Sequence, residues 1–490
     1  MQGKIVKINK MLNRKEISAV ELINMYIEYA KKINSDINAY IATVYEKAVT
    51  CAQKIDDIIT NGGELSILEG IPMSIKDCIC TKDINTTCCS KMLSGYKPIF
   101  DAFAVEKLQN SNAIMLGKTN MDEFAMGSTC ETSCYGPTKN PYNTDCVPGG
   151  SSGGAAASVA SDIAVFGLGT DTGGSVRQPA SFCGCVGLKP TYGAISRYGL
   201  IAYASSFDQI GVLAQRVEDT AIVFDAINLY DYRDATCSNI ARTPASDNLK
   251  KDIGGLKIGV LTDLFKNLNS QTDICINDAL KIYEDLGAEI SDVQVSSLEF
   301  ALPVYYILAC AEASSNLSRY DGIRYGYRTE NFENIEEMIC KTRSEAFGDE
   351  VKRRIILGNY VLSSGYSDEY YKKAEKMRSV IMSDFIKLFD DFDIIIAPTT
   401  ASSAFKLGEF ENDPVSMYLT DQCTVIANIC GLPAVSIPCG YDSNNMPVGM
   451  QIIGNRFSEN VILNAAYAFE NVQYKNIYRK PQVGGDCLGI

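Results

Sequence analysis

GLGTDTGGSVRQPASFCG, residues 167–184, runs from an apolar strand into a tight glycine turn, with Ser175 directly behind Gly173 and Gly174. A serine on such a turn is a candidate nucleophile. Its usual base is a histidine, and none of the 490 residues is histidine. Asp, Glu, Tyr, Cys and neutral Lys remain as bases. Lysine in water has a pKa of about 10.4. Burial penalises its charged form and lowers that value by several units, so a buried lysine can serve a serine. EGIPMSIKDCI (69–79) offers Lys76, in an apolar run after a Gly-Ile-Pro turn and between Ile75 and Ile79. Most lysines are solvated surface residues, and one inside an apolar strand is a candidate base. Asp77 reads equally well as a strand end, a capping residue or a partner.

A second segment, PGGSSGGAAASVASD (148–162), admits three readings. A phosphate loop needs GxxxxGK[ST], or GxGxxG after a strand, and neither pattern occurs. Residues 150–154 fit GxSxG, but that elbow needs a histidine base, so composition excludes it. By itself the segment reads as a flexible Gly/Ser link into an Ala-rich helix.

Outward from these segments, apolar runs alternate with helical patterns. SAVELINMYIEYAKKIN predicts a helix with a Ser18–Glu21 capping box and an apolar face of Leu22, Met25, Tyr26, Tyr29 and Ile33. Strands are predicted at 163–169, 256–262, 289–295 and 392–398, with a helix over 274–286 ended by Gly287. AVSIPCG (434–440) and VGMQIIG (448–454) flank a turn and predict neighbouring strands. The alternation predicts an α/β protein with helices on both faces of a large sheet. The polar stretch 231–255 is the candidate surface linker, without cutting the chain into independent domains.

Composition narrows the function. Net charge is −14 with no basic cluster, against strong nucleic-acid binding. No apolar run approaches about 18 residues, so no membrane span is expected. The 18 cysteines are scattered and the N-terminus lacks a signal-peptide core, which points to a reducing cytoplasm with free thiols. With no CxxC pair and no histidine, metal binding at Cys130 and Cys134, or at Cys183 and Cys185, is not expected.

Taken together, Lys76, the GGSSGG block, TDTGGS and FCGCVGLKPTYG (182–193) resemble the amidase signature superfamily. That resemblance implies one large α/β/α sandwich, with a mixed, mostly central sheet covered by helices on both faces. It implies a single domain over 1–490: N-terminal helices to about 60, a signature core about 60–215, and a C-terminal part about 255–475. Its members use a Ser–cis-Ser–Lys triad. Position by position, Ser175 matches the nucleophile, Ser151 the bridging serine after a cis peptide, and Lys76 the base. The N–H groups of Thr172, Gly173, Gly174 and Ser175 then form the expected oxyanion hole, each donor worth about 3 kcal/mol. Asp171 and Arg177 are expected to support the turn.

Outer blocks carry the likeness further. GKTNMDEFAMGSTCETS (117–133), ASSFDQIGVLAQRVEDTA (204–221), EASSNLSRYDGIRYG (312–326), EVKRRIILGNYVLSSGY (350–366) and MYLTDQCTVIANICGLPAVSIPCG (417–440) resemble one branch of the superfamily, the A subunits of glutamyl-tRNA(Gln) amidotransferases. This branch hydrolyses glutamine to glutamate and ammonia. The resemblance implies that Arg354 grips the glutamine α-carboxylate and Asp421 its α-ammonium, with Tyr305 or Tyr306 lining the pocket. Without it, Arg354 would read as a surface helix residue and Asp421 as a helix cap. The implied partners are the GatB and GatC proteins of a heterotrimer. GatB binds the misacylated tRNA and uses ATP and Mg, and this chain needs no cofactor. The alternative is a stand-alone amidase acting on another small amide. Departures from the branch lie in the many cysteines, including Cys183 and Cys185, and in the absence of histidine and tryptophan. Cys185 is expected to fill the core.

Overall fold

The computed structural model of the chain describes residues 2–489. Within them eleven strands form one mixed sheet: β1 (Tyr40–Thr43), β2 (Pro72–Lys76), β3 (Ile114–Thr119), β4 (Phe166–Thr170), β5 (Val186–Lys189), β6 (Ile210–Ala214), β7 (Lys257–Leu261), β8 (Glu289–Val293), β9 (Ile394–Pro398), β10 (Ala434–Tyr441) and β11 (Pro447–Gly454). Their order is β1-β3-β2-β4-β6-β5-β10-β11-β9-β7-β8. The fold is α/β, as expected. β2, β4, β9 and β11 are apolar at most positions and buried at all of them, the pattern of strands covered on both faces. The expected neighbours β10 and β11 pair antiparallel.

What places the site is the parallel trio β3-β2-β4. Parallel strands end on the same side, and ligands in such sheets bind beyond their carboxyl ends. Lys76 ends β2, Thr170 ends β4 just before the Ser175 turn, and the loop after Thr119 of β3 runs on to Ser128.

Some expectations shift. The strand expected at 163–169 starts only at Phe166. The N-terminal helix, Ala19–Ile37, has the expected capping box, but its buried face is Leu22, Ile23, Tyr26, Ile27, Ala30 and Ile33. Met25 is 42% exposed and Tyr29 only half-buried. The helix is rotated toward Ile23 and Ile27, because several apolar stripes fit one amphipathic sequence and packing selects among them. The stretch 231–255 is largely exposed and irregular, as its polar composition predicts, and is pinned at a few points: Asp231 accepts from Ser196 Oγ (2.8 Å), and Cys237, Ala245 and Ile253 are buried. The GGSSGG block, by contrast, is not the flexible link expected. It is buried throughout and leads into the buried helix Gly153–Ala160.

Candidate active site

Lys76 is fully buried at the end of β2. Its Nζ lies 2.7 Å from Ser151 Oγ, 2.8 Å from Ser152 Oγ and 2.8 Å from Thr170 Oγ1. An ammonium would donate to all three hydroxyls. A neutral amine would donate to two and accept from the third, so this cage holds either form. No carboxylate forms an ion pair with Lys76 among the described residues. Burial lowers its pKa, while Cys78, Asp122, Cys130 and Asp171 act from a distance in the opposite direction. The Gly150–Ser151 peptide bond is cis. The sequence singles out Ser151 but not Ser152, which donates to the Thr170 carbonyl (3.1 Å) and receives the Thr170 N–H (3.2 Å).

Ser175 follows β4 and is 9% exposed, whereas Lys76 and Ser151 are sealed from solvent. Its carbonyl receives the Ser152 N–H (3.1 Å). Its Oγ has no hydrogen-bond partner among the described residues. The Lys76–Ser151 contact is therefore formed and a Ser151–Ser175 contact is not. Such links commonly tighten only when substrate is bound.

The turn itself is rigidly built. Arg177 forks onto Asp171, with Nε to Oδ2 and Nη2 to Oδ1 both at 3.0 Å. The same guanidinium donates to the Thr424 carbonyl (2.9 Å), Gln451 (2.8 Å) and Asn428 (2.7 Å). Burial alone would raise the Asp171 pKa, but Arg177 and Asn428 hold it at about 2. Asp171 Oδ1 also accepts the Gly174 N–H at 2.9 Å. That donor, expected in the oxyanion hole, is already engaged, because the carboxylate that braces the turn reaches it first. The N–H groups of Thr172, Gly173 and Ser175 have no partner among the described residues. A Cβ on Gly173 would run into the Tyr305 ring, and one on Gly174, whose φ is +136°, into Thr424 Oγ1. Close approach makes both positions glycine.

Next to this turn stand the residues expected to hold glutamine. Tyr305 packs on Gly173 and meets Tyr306 edge-on, with ring centroids 5.1 Å apart. Tyr306 Oη donates to Asp421 Oδ2 (2.8 Å), and Ser128 Oγ donates to the same carboxylate (2.9 and 3.1 Å). Burial raises the Asp421 pKa to about 6 against those hydrogen bonds. Arg354 is buried in the helix Asp349–Leu362. Its Nε donates to Glu350 (2.7 Å) and its Nη1 to Tyr203 Oη (2.7 Å). Its guanidinium lies over the rings of Tyr203, Tyr306 and Tyr418, 5.7, 5.3 and 5.3 Å from their centroids. Its buried Nη2 has no partner. Both tyrosines thus join this cluster, Tyr305 against the turn that carries Ser175 and Tyr306 between Arg354 and Asp421.

Four residues of this cluster, Ser128, Tyr203, Glu350 and Tyr418, escaped the sequence reading. Glu350 carried a signal, since Glu350 and Arg354 stand four apart on one helix face. Ser128 and Tyr203 carried none, because only folding brings them to Asp421 and Arg354. Asp77 stands just past the end of β2 and is not a partner of Lys76: it accepts from the Thr87 N–H (2.8 Å) and Oγ1 (2.5 Å) and faces Lys118 Nζ at 3.9 Å, one strand away. Cys183 and Cys185 are buried free thiols, and among the described residues no cluster suits a metal. No helix there is long and apolar enough to cross a membrane.

A family model described as Amidase matches residues 21–463. The chain is 52% identical to the A subunit of glutamyl-tRNA(Gln) amidotransferase from Caldanaerobacter subterraneus subsp. tengcongensis, over 98% of each chain. It is 47% identical to that of Synechococcus elongatus, over 95% of this chain and 97% of the other. Among solved structures it is similar to the A subunit of glutamyl-tRNA(Gln) amidotransferase from Thermotoga maritima, at 37% identity and TM-score 0.79 over 95% of each chain. A 6-aminohexanoate cyclic dimer hydrolase gives TM-score 0.85 at 25% identity, over 98% of this chain and 99% of that one. Amide hydrolases with different substrates therefore share this backbone, and sequence identity is what separates them.

Proposed function

Because the chain belongs to the amidase family and, within it, to the A subunits of glutamyl-tRNA(Gln) amidotransferase, we propose that it releases ammonia from glutamine for the amidation of a tRNA-bound glutamate. Neutral Lys76 takes a proton through Ser151 as Ser175 attacks the side-chain amide. The tetrahedral oxyanion forms against the N–H groups of Thr172, Gly173 and Ser175. Protonated Lys76 then returns the proton to the departing nitrogen, ammonia leaves, and water resolves the acyl-enzyme by the same relay. Arg354 takes the α-carboxylate and Asp421 the α-ammonium. The observation that carries this reading is Arg354: a buried guanidinium with an unpartnered Nη2, joined through Tyr306 to a buried carboxylate beside the Ser175 turn. A buried donor without a partner is costly, and a substrate carboxylate would satisfy it.

The relatives' name implies further subunits. An acidic chain of net charge −14 fits a division of labour in which GatB binds the tRNA and uses ATP, GatC completes the heterotrimer, and this chain works in the cytoplasm without a cofactor. The test is ammonia release from glutamine by the chain alone and co-expressed with GatB and GatC. Glutamine turnover that rises strongly in the complex is expected. Full activity of the lone chain on other amides, with none on glutamine, would replace this reading with that of a stand-alone amidase.

A pH dependence follows from Asp421. Its carboxyl ionises near pH 6, and only the ionised form accepts from an ammonium without donating. The KM for glutamine is therefore expected to rise as pH falls through about 6. A KM flat between pH 5 and 8 would remove Asp421 from the ammonium site.

A further inference from the structure

The helix that carries Arg354 begins without a cap of its own. Its N-cap, Gly348, has no side chain, and the first-turn acids do not replace one. Asp349 points to solvent, and Glu350 turns inward to Arg353 and Arg354. The group that holds the N-cap residue itself comes from a distant part of the sequence. Glu123, 3% exposed, accepts the Gly348 N–H on Oε2 at 2.8 Å and the Ser90 hydroxyl on Oε1. A Cβ at position 348 would collide with that Oε2, so the glycine is what admits the carboxylate. Anions at a helix start are favoured by its dipole and its free N–H groups.

Glu123 is also tied to the other half of the site. Its own N–H goes to Thr132 Oγ1 (3.0 Å). The preceding Asp122 donates its N–H to the Ser151 carbonyl (3.3 Å). The dipeptide Asp122–Glu123 thus touches the serine loop with one residue and the Arg354 helix with the next.

We propose that Glu123 is a positioning residue for glutamine: its carboxylate seats the first turn of the Asp349–Leu362 helix, and Glu350 on that turn aims the Arg354 fork. This rests on the glutamine reading above. Lys352 on the helix and Lys91 beside Ser90 act on Glu123, Cys134 lies on the neighbouring loop, and Glu131, Asp349, Glu350, Arg353 and Glu411 line the same cavity. Burial raises the Glu123 pKa to about 7. The anion that seats the helix is present above that pH and lost below it, so glutamine binding tightens as pH rises through this range.

The test is Glu123→Gln in the complex with GatB and GatC, assayed for ammonia release from glutamine and from a simple amide lacking the carboxylate. The amide oxygen keeps the Gly348 N–H bond, the amide nitrogen can only donate, so the Ser90 bond must reverse, and the charge is lost. The expected result is a KM for glutamine raised about fivefold, kcat within about twofold, and the simple amide unaffected. The part of the KM pH dependence that Glu123 supplies disappears, while the part that Asp421 supplies persists. Ser90→Ala, which removes the other hydrogen bond to Glu123, should shift KM the same way by less and guards against a folding defect in the first variant. An unchanged KM, or equal losses in KM and kcat with an unaltered pH profile, overturns the proposal and leaves the glutaminase reading standing. A wild-type complex that releases no ammonia from glutamine overturns both.

Discussion

Replacing Lys76 by methionine is expected to lower kcat for ammonia release by at least about 10³-fold, about 4 kcal/mol of barrier, while glutamine still binds. Methionine keeps the length and bulk of the side chain in a fully buried site, so the core stays filled. What disappears is the one amine in contact with Ser151, Ser152 and Thr170. With no histidine in the chain and no carboxylate touching that cage, nothing nearby can take over the proton. Binding is measured by calorimetry on the variant and folding by thermal melt. Arg354, Asp421 and Tyr306 are untouched, so the dissociation constant for glutamine should stay within a few-fold of wild type. Retained turnover would remove Lys76 as the base. Loss of both turnover and binding would point to a damaged fold instead.

Arg354→Lys is expected to raise the KM for glutamine about 30-fold with kcat within a few-fold, about 2 kcal/mol of binding. Lysine preserves the charge that compensates buried Glu350 but cannot present a planar fork. An alanine here would strand the Glu350 carboxylate and destabilise the helix for a separate reason, so lysine is the cleaner test. Specificity is the sharper readout. The ratio of kcat/KM for glutamine over a carboxylate-free amide should fall by the same factor, since the simple amide never used the fork. An unchanged ratio would show that the unpartnered Nη2 of Arg354 does not meet the substrate.

Much of the fold was readable from local pattern. The runs IIIAP and VGMQIIG are apolar and β-branched enough to be strands in almost any context, and the structure makes them β9 and β11. The errors came where two packings suit one sequence. Helix Ala19–Ile37 could bury either Met25 or Ile23, and its neighbours decided for Ile23. The stretch 231–255 is the largely exposed connection its polar residues predict, but its few buried anchors, Cys237, Ala245 and Ile253, could not be told from their neighbours by pattern.

For the site, the absence of histidine and the apolar setting of Lys76 were enough to make it a candidate base, because both are properties of the chain before it folds. That Lys76 meets three hydroxyls from two separate segments depends on β2 and β4 lying side by side in parallel. The Gly174 N–H looked as available as its neighbours until the Asp171 carboxylate folded back onto it. Ser128, Tyr203 and Tyr418 could not be found by spacing, since each is brought to its partner across long stretches of chain. Residue types and local periodicity are written into the sequence, so the strands and a candidate for the base could be read there. Which donors remain free, and which side chains share a pocket, is settled only when distant segments exclude water from the same space and compete for the same hydrogen bonds.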